Sequence, residues 1–421
     1  MSKLNNLLNK FLGETSKHLV KTFFVYGFIA LSIIIIKILI AQLYGQEELG
    51  YFTYFFSLVS FVFLFTSFGI LEALTQTIIK EPKKLRSLLI IIIPLVSIST
   101  VFFLLITILI TETFNLNPPI NNFWLLIVAY VCVTTLFYLL YSMFKGIQRF
   151  VEGATYSLIN RVIFIVFIIF AFIYSLDFFY VLLSFSVAIL ISFIFGLPRI
   201  KKFISPENFN VNLKKFLYLS ISLFLMQVGF YSLRFLSEII IGVIVDFNSL
   251  GLYSANSSIT NVIRLIAYVF PVVVLPMAVI SKYKLRKSVK KIILLLIPFS
   301  SLVLVSTYVL VPLLYGQEYV HLTLPIILTI SSSLLVLYSY FNSIFVGENN
   351  FSSFYVKIIL IDFILSLVLN TILNVVMISS FGIIGAPIAT SITIIFKIAL
   401  NVYAIKKLRL RKKLTKENDN T

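Results

Sequence analysis

Lysine and arginine are confined to short clusters along this chain, and the apolar stretches between the clusters come in pairs. All but four of the 34 basic residues lie in Lys3 to Lys21, Lys80 to Arg86, Lys145 to Arg161, Arg199 to Lys215, Lys282 to Lys291, at Lys357, or in Lys406 to Lys416. The loops inside each pair carry neither Lys nor Arg, only acids such as Glu47, Glu48, Glu112, Asp177, Asp246 and Glu318. Multi-pass membrane proteins collect positive charge in their cytoplasmic loops. The pattern therefore predicts a multi-pass protein of the cytoplasmic (plasma or inner) membrane with both termini in the cytoplasm.

A spanning helix needs about 20 apolar residues. Twelve such stretches can be counted, at about 23–43, 51–73, 88–110, 122–144, 155–175, 178–197, 217–241, 251–279, 290–312, 322–346, 354–377 and 382–404. They take up most of the 421 residues, so the expected fold class is an all-α polytopic membrane protein with no separate soluble domain. Composition agrees, since 60% hydrophobic and 12% charged residues lie far from globular averages.

Other classes fit poorly. The formal charge of +18 could suggest a nucleic-acid partner. Basic clusters that alternate with spans and lack an aromatic platform read instead as topology signals and contacts to anionic membrane lipids. The first apolar stretch is longer than a signal-peptide core, is interrupted by Lys37 and lacks a small-residue cleavage site, so it reads as a retained span. Cys132 is the single cysteine, and His18 and His321 lie far apart in loops, so no metal site and no disulfide are expected. The short outer loops hold no paired carboxylates, which argues against an enzyme.

The chain also repeats itself. A shift of 201 residues lays Leu49-Gly50 on Leu250-Gly251, Phe52 on Tyr253, Gly146 on Gly347 and Phe150 on Phe351. Six spans duplicated as six keep one orientation, so the halves should be related by an axis along the membrane normal. The expected organisation is two pseudo-twofold-related six-helix bundles around a central cavity, residues 1–203 and 204–407, followed by a disordered basic cytoplasmic tail at 408–421.

Four local motifs carry a resemblance. They are Tyr44-Gly45-Gln46-Glu47-Glu48-Leu49-Gly50-Tyr51-Phe52, Phe68-Gly69-Ile70, Tyr315-Gly316-Gln317-Glu318-Tyr319, and Phe381-Gly382-Ile383-Ile384-Gly385-Ala386-Pro387-Ile388-Ala389-Thr390. In this order over twelve spans they resemble the polysaccharide biosynthesis flippases, O-antigen and capsule repeat-unit exporters of the multidrug/oligosaccharidyl-lipid/polysaccharide superfamily. Pro387 stands where that family's last motif has alanine. The resemblance implies translocation of a polyprenyl-diphosphate-linked oligosaccharide by alternating access, through a cation-lined cavity formed by spans one, two, seven and eight. No cofactor is expected, and coupling to a proton or sodium gradient is left open by the sequence. Polymerases and glycosyltransferases of the same pathway would be partners. A multidrug exporter of the superfamily is the alternative, and would favour an acidic or apolar cavity.

The four basic residues outside the clusters are Lys37, Arg234, Arg264 and Lys397. A charge at the centre of a lone spanning helix costs about 2.5–3.5 kcal/mol on insertion scales, so such residues turn toward protein or water. Arg264, Arg234 and Lys37 are the candidate substrate-binding cations. The guanidinium of Arg264 suits a phosphate, although it could instead bond a carbonyl or an acid on another span. Arg234 and Glu238 share a helix face four residues apart, as a charged wall or a local ion pair. Glu238 matches Lys37 at the 201 offset, which makes a bridge between them a gate candidate. Arg161 and Asp362, also matched, are placed near cytoplasmic span ends, and Lys397 is read as snorkelling to headgroups. Glu72 is a candidate for ion coupling or an interfacial acid balancing Lys80, Lys83 and Lys84. Pro271 and Pro276 predict a bend in the eighth span.

Overall fold

The computed structural model describes residues 13–113, 120, 122–201, 203, 211–267, 285–347 and 353–418. Among them there is no strand. The helices are α1 (Gly13–Leu43), α2 (Gln46–Ser67), α3 (Ile70–Lys80), α4 (Leu85–Thr113), α5 (Phe123–Gly146), α6 (Phe150–Ile173) and α7 (Phe178–Lys201), then α8 (Leu213–Ile244), α9 (Phe247–Thr260), α10 (Leu285–Leu314), α11 (Leu324–Gly347), α12 (Ser353–Ile364), α13 (Asn370–Phe381) and α14 (Gly385–Asn418).

Nine described segments are long and apolar enough to cross a membrane. One of them, Phe354–Leu410, is 57 residues long and folds back at the turn Gly382–Ile384, so it holds two passes. The apolar half of α1, Gly27–Leu43, is a further pass, and the eighth stretch is described only as far as residue 267. Eleven of the twelve apolar stretches of the sequence are thus described as helical passes, and the eighth in its first part. Pro271 and Pro276 lie outside the described residues. Pro387 falls in the first turn of α14, where a proline costs little because the backbone donor there is unused.

Three boundaries differ from expectation. The second stretch is two helices, because Phe68 (φ 42°) and Gly69 (φ 65°) leave the helical region between α2 and α3. There the start of α8 crosses so closely that a Cβ at Gly69 would run into the backbone of Ser220 and Phe224. Ser220 Oγ donates to the freed carbonyl of Phe68 at 2.6 Å. Arg161 is not at a span end; it stands halfway along α6. Finally, α14 stays helical to Asn418 instead of giving way to a disordered tail at 408, in keeping with the strong helix formers Leu, Lys, Arg and Glu that compose it.

By internal packing the chain divides into two units, residues 1–43 with 62–224 and residues 44–61 with 225–421. In the first, α7 packs against α5 and α6, α1 against α6, and α3 against α5. Its core gathers Ile78, Leu85, Leu88, Ile92 and Phe144. In the second, α11 and α13 pack on α14, and α9 on α10 and α11. Two equivalent helices, α4 and α10, both have only 22% of their central stretch buried, as does α6, and present side chains such as Ile98 and Leu295 outward. A surface of that kind is suited to lipid.

The duplication is visible in the helix starts. Gln46 and Phe247 open α2 and α9, and Phe123 and Leu324 open α5 and α11, each pair 201 residues apart. Within the second unit the repeat becomes a local two-fold contact. Gly50 packs on the backbone of Phe247 and Gly251 on the backbone of Gln46, the same contact made twice with the partners exchanged. Between them Thr53 Oγ1 donates to Ser254 Oγ at 2.7 Å, again 201 residues apart. A pair of equivalent residues can touch only beside the axis that relates them. In lipid, helices associate through close backbone approach and buried hydroxyl bonds, and both devices occur here.

Candidate functional site

Most of the charges predicted within spans are buried, while Arg234 and Arg161 are partly exposed. Lys37 is 3% exposed on α1, Glu238 2% on α8, Arg264 8%, Asp362 9% on α12, and Lys397 fully buried on α14. Arg264 lines a pocket of the second unit together with Arg234. Phe230, Tyr231, Leu335 and Thr390 complete most of its wall.

Each arginine is held by its inner nitrogen. Arg264 follows the interruption of α9 at Asn261, whose carbonyl accepts the Arg264 amide at 2.9 Å. Its Nε donates to Ser332 Oγ of α11 at 3.2 Å, the single hydrogen bond of its guanidinium among the described residues. Arg234 Nε lies 3.4 Å from Glu238 Oε1, one helical turn on, so the local ion pair forms. Glu238 is fixed in turn by Ser57 of α2, whose hydroxyl donates to Oε2. Tyr253 lies within electrostatic reach of Arg264, Glu238 and Arg234. Thr390, the last residue of the fourth motif, bonds Ser237 Oγ across the back of the pocket at 3.2 Å. Two guanidinium groups and one carboxylate thus lie in the same unit beside the side chains of Phe230 and Tyr231.

Asp362 and Lys397 form a second polar cluster in the same unit. Far from snorkelling, Lys397 Nζ has three donors and three oxygen partners: Asp362 Oδ2 at 3.2 Å, Gly229 O at 2.6 Å and Ser366 Oγ at 2.5 Å. Tyr338 donates to the carboxylate at 3.1 Å and lays its ring 4.3 Å from the ammonium. Ser366 belongs to a π-helical turn, Leu365–Leu369, between α12 and α13. Each polar group of this pair is thus satisfied from within.

In the first unit Glu72 sits in the first turn of α3, just past the break, with Oε2 buried and without a hydrogen-bond partner among the described residues. Arg161 lies 5.1 Å from the ring centroid of Phe185. Among the described residues no group of three or more His, Cys, Asp or Glu could hold a metal ion.

Sequence reasoning found Arg234, Arg264 and Glu238 because charges in apolar stretches announce themselves. It missed Ser332, Ser57, Tyr338 and Ser366, since hydroxyls in spans are common and only the fold says which meets a charge. Lys397 was misjudged although it stands thirteen residues into α14, too deep to reach a headgroup.

These features define a class first. The fold is that of the multi-pass exporters: it is similar to the lipid II flippase MurJ in an inward closed conformation, with a TM-score of 0.61 and 18% identity over 92% of this chain and 87% of that one. It is also similar to a multidrug resistance MATE family transporter of the MOP superfamily in an inward-facing conformation, with a TM-score of 0.58 and 13% identity over 93% of this chain and 96% of that one. Within that class, the chain belongs to the polysaccharide biosynthesis protein family, whose model matches residues 19–284. No curated protein sequence matches it.

Proposed function

We propose that this protein is a flippase that carries a polyprenyl-diphosphate-linked oligosaccharide from the cytoplasmic to the outer leaflet of the cytoplasmic membrane. The observation that carries the reading is the anchored but open guanidinium of Arg264, beside Arg234, in a pocket with aromatic walls. A diphosphate offers paired oxygens to such a fork, and sugar faces stack on aromatic rings. Membership of the family and the likeness to a lipid II flippase fold support the same choice. The alternative, a multidrug exporter, is less well served, because cationic drugs would meet two arginines against one carboxylate.

In this account the two repeats, 1–203 and 204–407, alternate the access of the substrate to the two sides of the membrane, and Lys37 is a further substrate-binding cation. Glu238 serves as the support, and through Lys37 a gate, for Arg234. Glu72, whose Oε2 has no hydrogen-bond partner among the described residues, is the candidate for proton or sodium coupling, with Arg161 and Asp362 as further charged control points. The termini face the cytoplasm, where the basic loops meet anionic lipids and where glycosyltransferases of the pathway would act; a polymerase would act on the product outside.

The test is complementation of a strain that lacks its flippase and makes a known surface polysaccharide. Wild type should restore the polymer, and Arg264→Ala at matched membrane abundance should not. Full restoration by both Arg264→Ala and Arg234→Ala would remove the pocket from the mechanism.

A further inference from the structure

In a spanning helix a serine ordinarily spends its hydroxyl on the carbonyl one turn before it, as Ser237, Ser258 and Ser343 do with Leu233, Ser254 and Ser339. Two fully buried serines of the second unit turn theirs to a charge on another helix instead. Ser332 of α11 accepts from Nε of Arg264 at 3.2 Å. Ser57 of α2 donates to Oε2 of Glu238, whose Oε1 lies 3.4 Å from Arg234 Nε. Both arginines that line the pocket are therefore tied to a serine, one directly and the other through a carboxylate.

The duplication separates these serines from the ordinary ones. At the 201 offset Arg264 matches Phe63 and Ser332 matches Val131, so where the guanidinium is missing its anchor is missing too. Arg234 matches Ile33. Ser57 matches Ser258, the same residue type with the ordinary bond back to its own helix, at 2.6 Å. What redirects Ser57 is the seat of α2: Gly50 packs on the backbone of Phe247, Thr53 Oγ1 donates to Ser254 Oγ, and Ser57, one turn further on, arrives at Glu238. A carboxylate with both oxygens free closes on a neighbouring guanidinium as a two-bond fork. With Oε2 held by Ser57, Glu238 offers Arg234 a single oxygen at a long distance.

We propose that Ser57 and Ser332 are the positioning residues of the arginine pocket: they fix the two guanidinium groups before a diphosphate arrives, and Ser57 does so by keeping Glu238 from closing on Arg234. This role, which takes its ligand from the flippase reading above, lowers the cost of binding, because an arginine already held in place loses less rotamer freedom when the anion is bound.

Calorimetric binding of inorganic pyrophosphate to the purified full-length protein tests this, beside transport of a polyprenyl-diphosphate sugar in proteoliposomes. Ser57→Ala and Ser332→Ala should each weaken pyrophosphate binding about 5- to 10-fold, the worth of one lost hydrogen bond, and raise the apparent KM for transport by a similar factor with the maximal rate little changed. Ser57→Thr and Ser332→Thr, which keep the hydroxyl, should stay near wild type. Adding Glu238→Gln to Ser57→Ala should restore binding, because an amide cannot draw Arg234 into a two-bond ion pair. Alanine variants that bind pyrophosphate as wild type does, threonine variants as weak as the alanine ones, or a wild type that binds none would overturn the proposal. Serine-dependent pyrophosphate binding without transport of any lipid-linked sugar would instead sink the flippase reading and leave the positioning roles in place.

Discussion

At the scale of single residues, two buried cations of similar sequence setting have opposite fates. Lys397 spends each of its three donors on fixed protein oxygens, whereas among the described residues the Arg264 guanidinium makes one hydrogen bond, from Nε. Arg264→Lys should therefore be nearly as damaging to transport as Arg264→Ala, because a point charge cannot reach two phosphate oxygens or keep the bond to Ser332; transport at matched abundance is the readout. For the other cation the expectation concerns stability. Removing Lys397 alone strands the Asp362 carboxylate, a loss of about 3–5 kcal/mol for a buried pair, while Lys397→Met with Asp362→Leu should recover most of it. A double mutant as unstable as the worse single one would contradict the pair as described. The sequence made these charges conspicuous but not their partners: hydropathy marks a lysine inside a span, and only the packing of α8, α12 and α14 brings Gly229, Asp362 and Ser366 to it.

At the scale of elements, the informative helices are the interrupted ones. The resemblance placed Phe68-Gly69-Ile70 late in a continuous span, yet it is the break itself, forced by the crossing of α8, and it delivers Glu72 to the first turn of α3. Hydropathy cannot see such a break, because both flanking helices are apolar. The α2 and α9 contact was more legible, since Gly50 and Gly251 were matched by the repeat before they were seen to make the reciprocal approach. In a Cys132→Ser background, Thr53→Cys with Ser254→Cys should cross-link readily on oxidation, since the hydroxyls they replace are 2.7 Å apart. If these helix ends part during transport, the cross-link should stop it and reduction restore it; undiminished transport by the cross-linked protein would show that they stay together.

The start of α11 offers a pH test at the same scale. His321 Nδ1 accepts the amides of Thr323 at 3.3 Å and Leu324 at 3.2 Å, a cap that only the neutral ring can make. Burial lowers its affinity for a proton below the usual histidine value. A folded-state value below the unfolded one means that the cap is intact above about pH 6.5 and is lost as pH falls through the lowered value. His321→Asn keeps an acceptor that does not titrate, so its unfolding midpoint should lose less between pH 7.5 and 5 than that of wild type. Equal losses would assign the acid sensitivity elsewhere.

At the scale of the whole molecule, the class was legible from the alternation of charge and hydropathy, and the duplication from a handful of matched residues. The division into compact units was not, because α2 and α8 each contribute to both, and no local signal reports where a long helix changes company. The proposed function rests on the family, the fold and the pocket lined by Arg264 and Arg234 taken together. The most direct measurement is translocation in proteoliposomes that contain only this protein and a fluorescent polyprenyl-diphosphate oligosaccharide. Transfer between leaflets that depends on Arg264 and is competed by unlabelled polyprenyl-diphosphate sugar is the expected result. No transfer of any lipid-linked sugar, together with efflux of a cationic dye by the same vesicles, would contradict the account and place the protein among drug exporters.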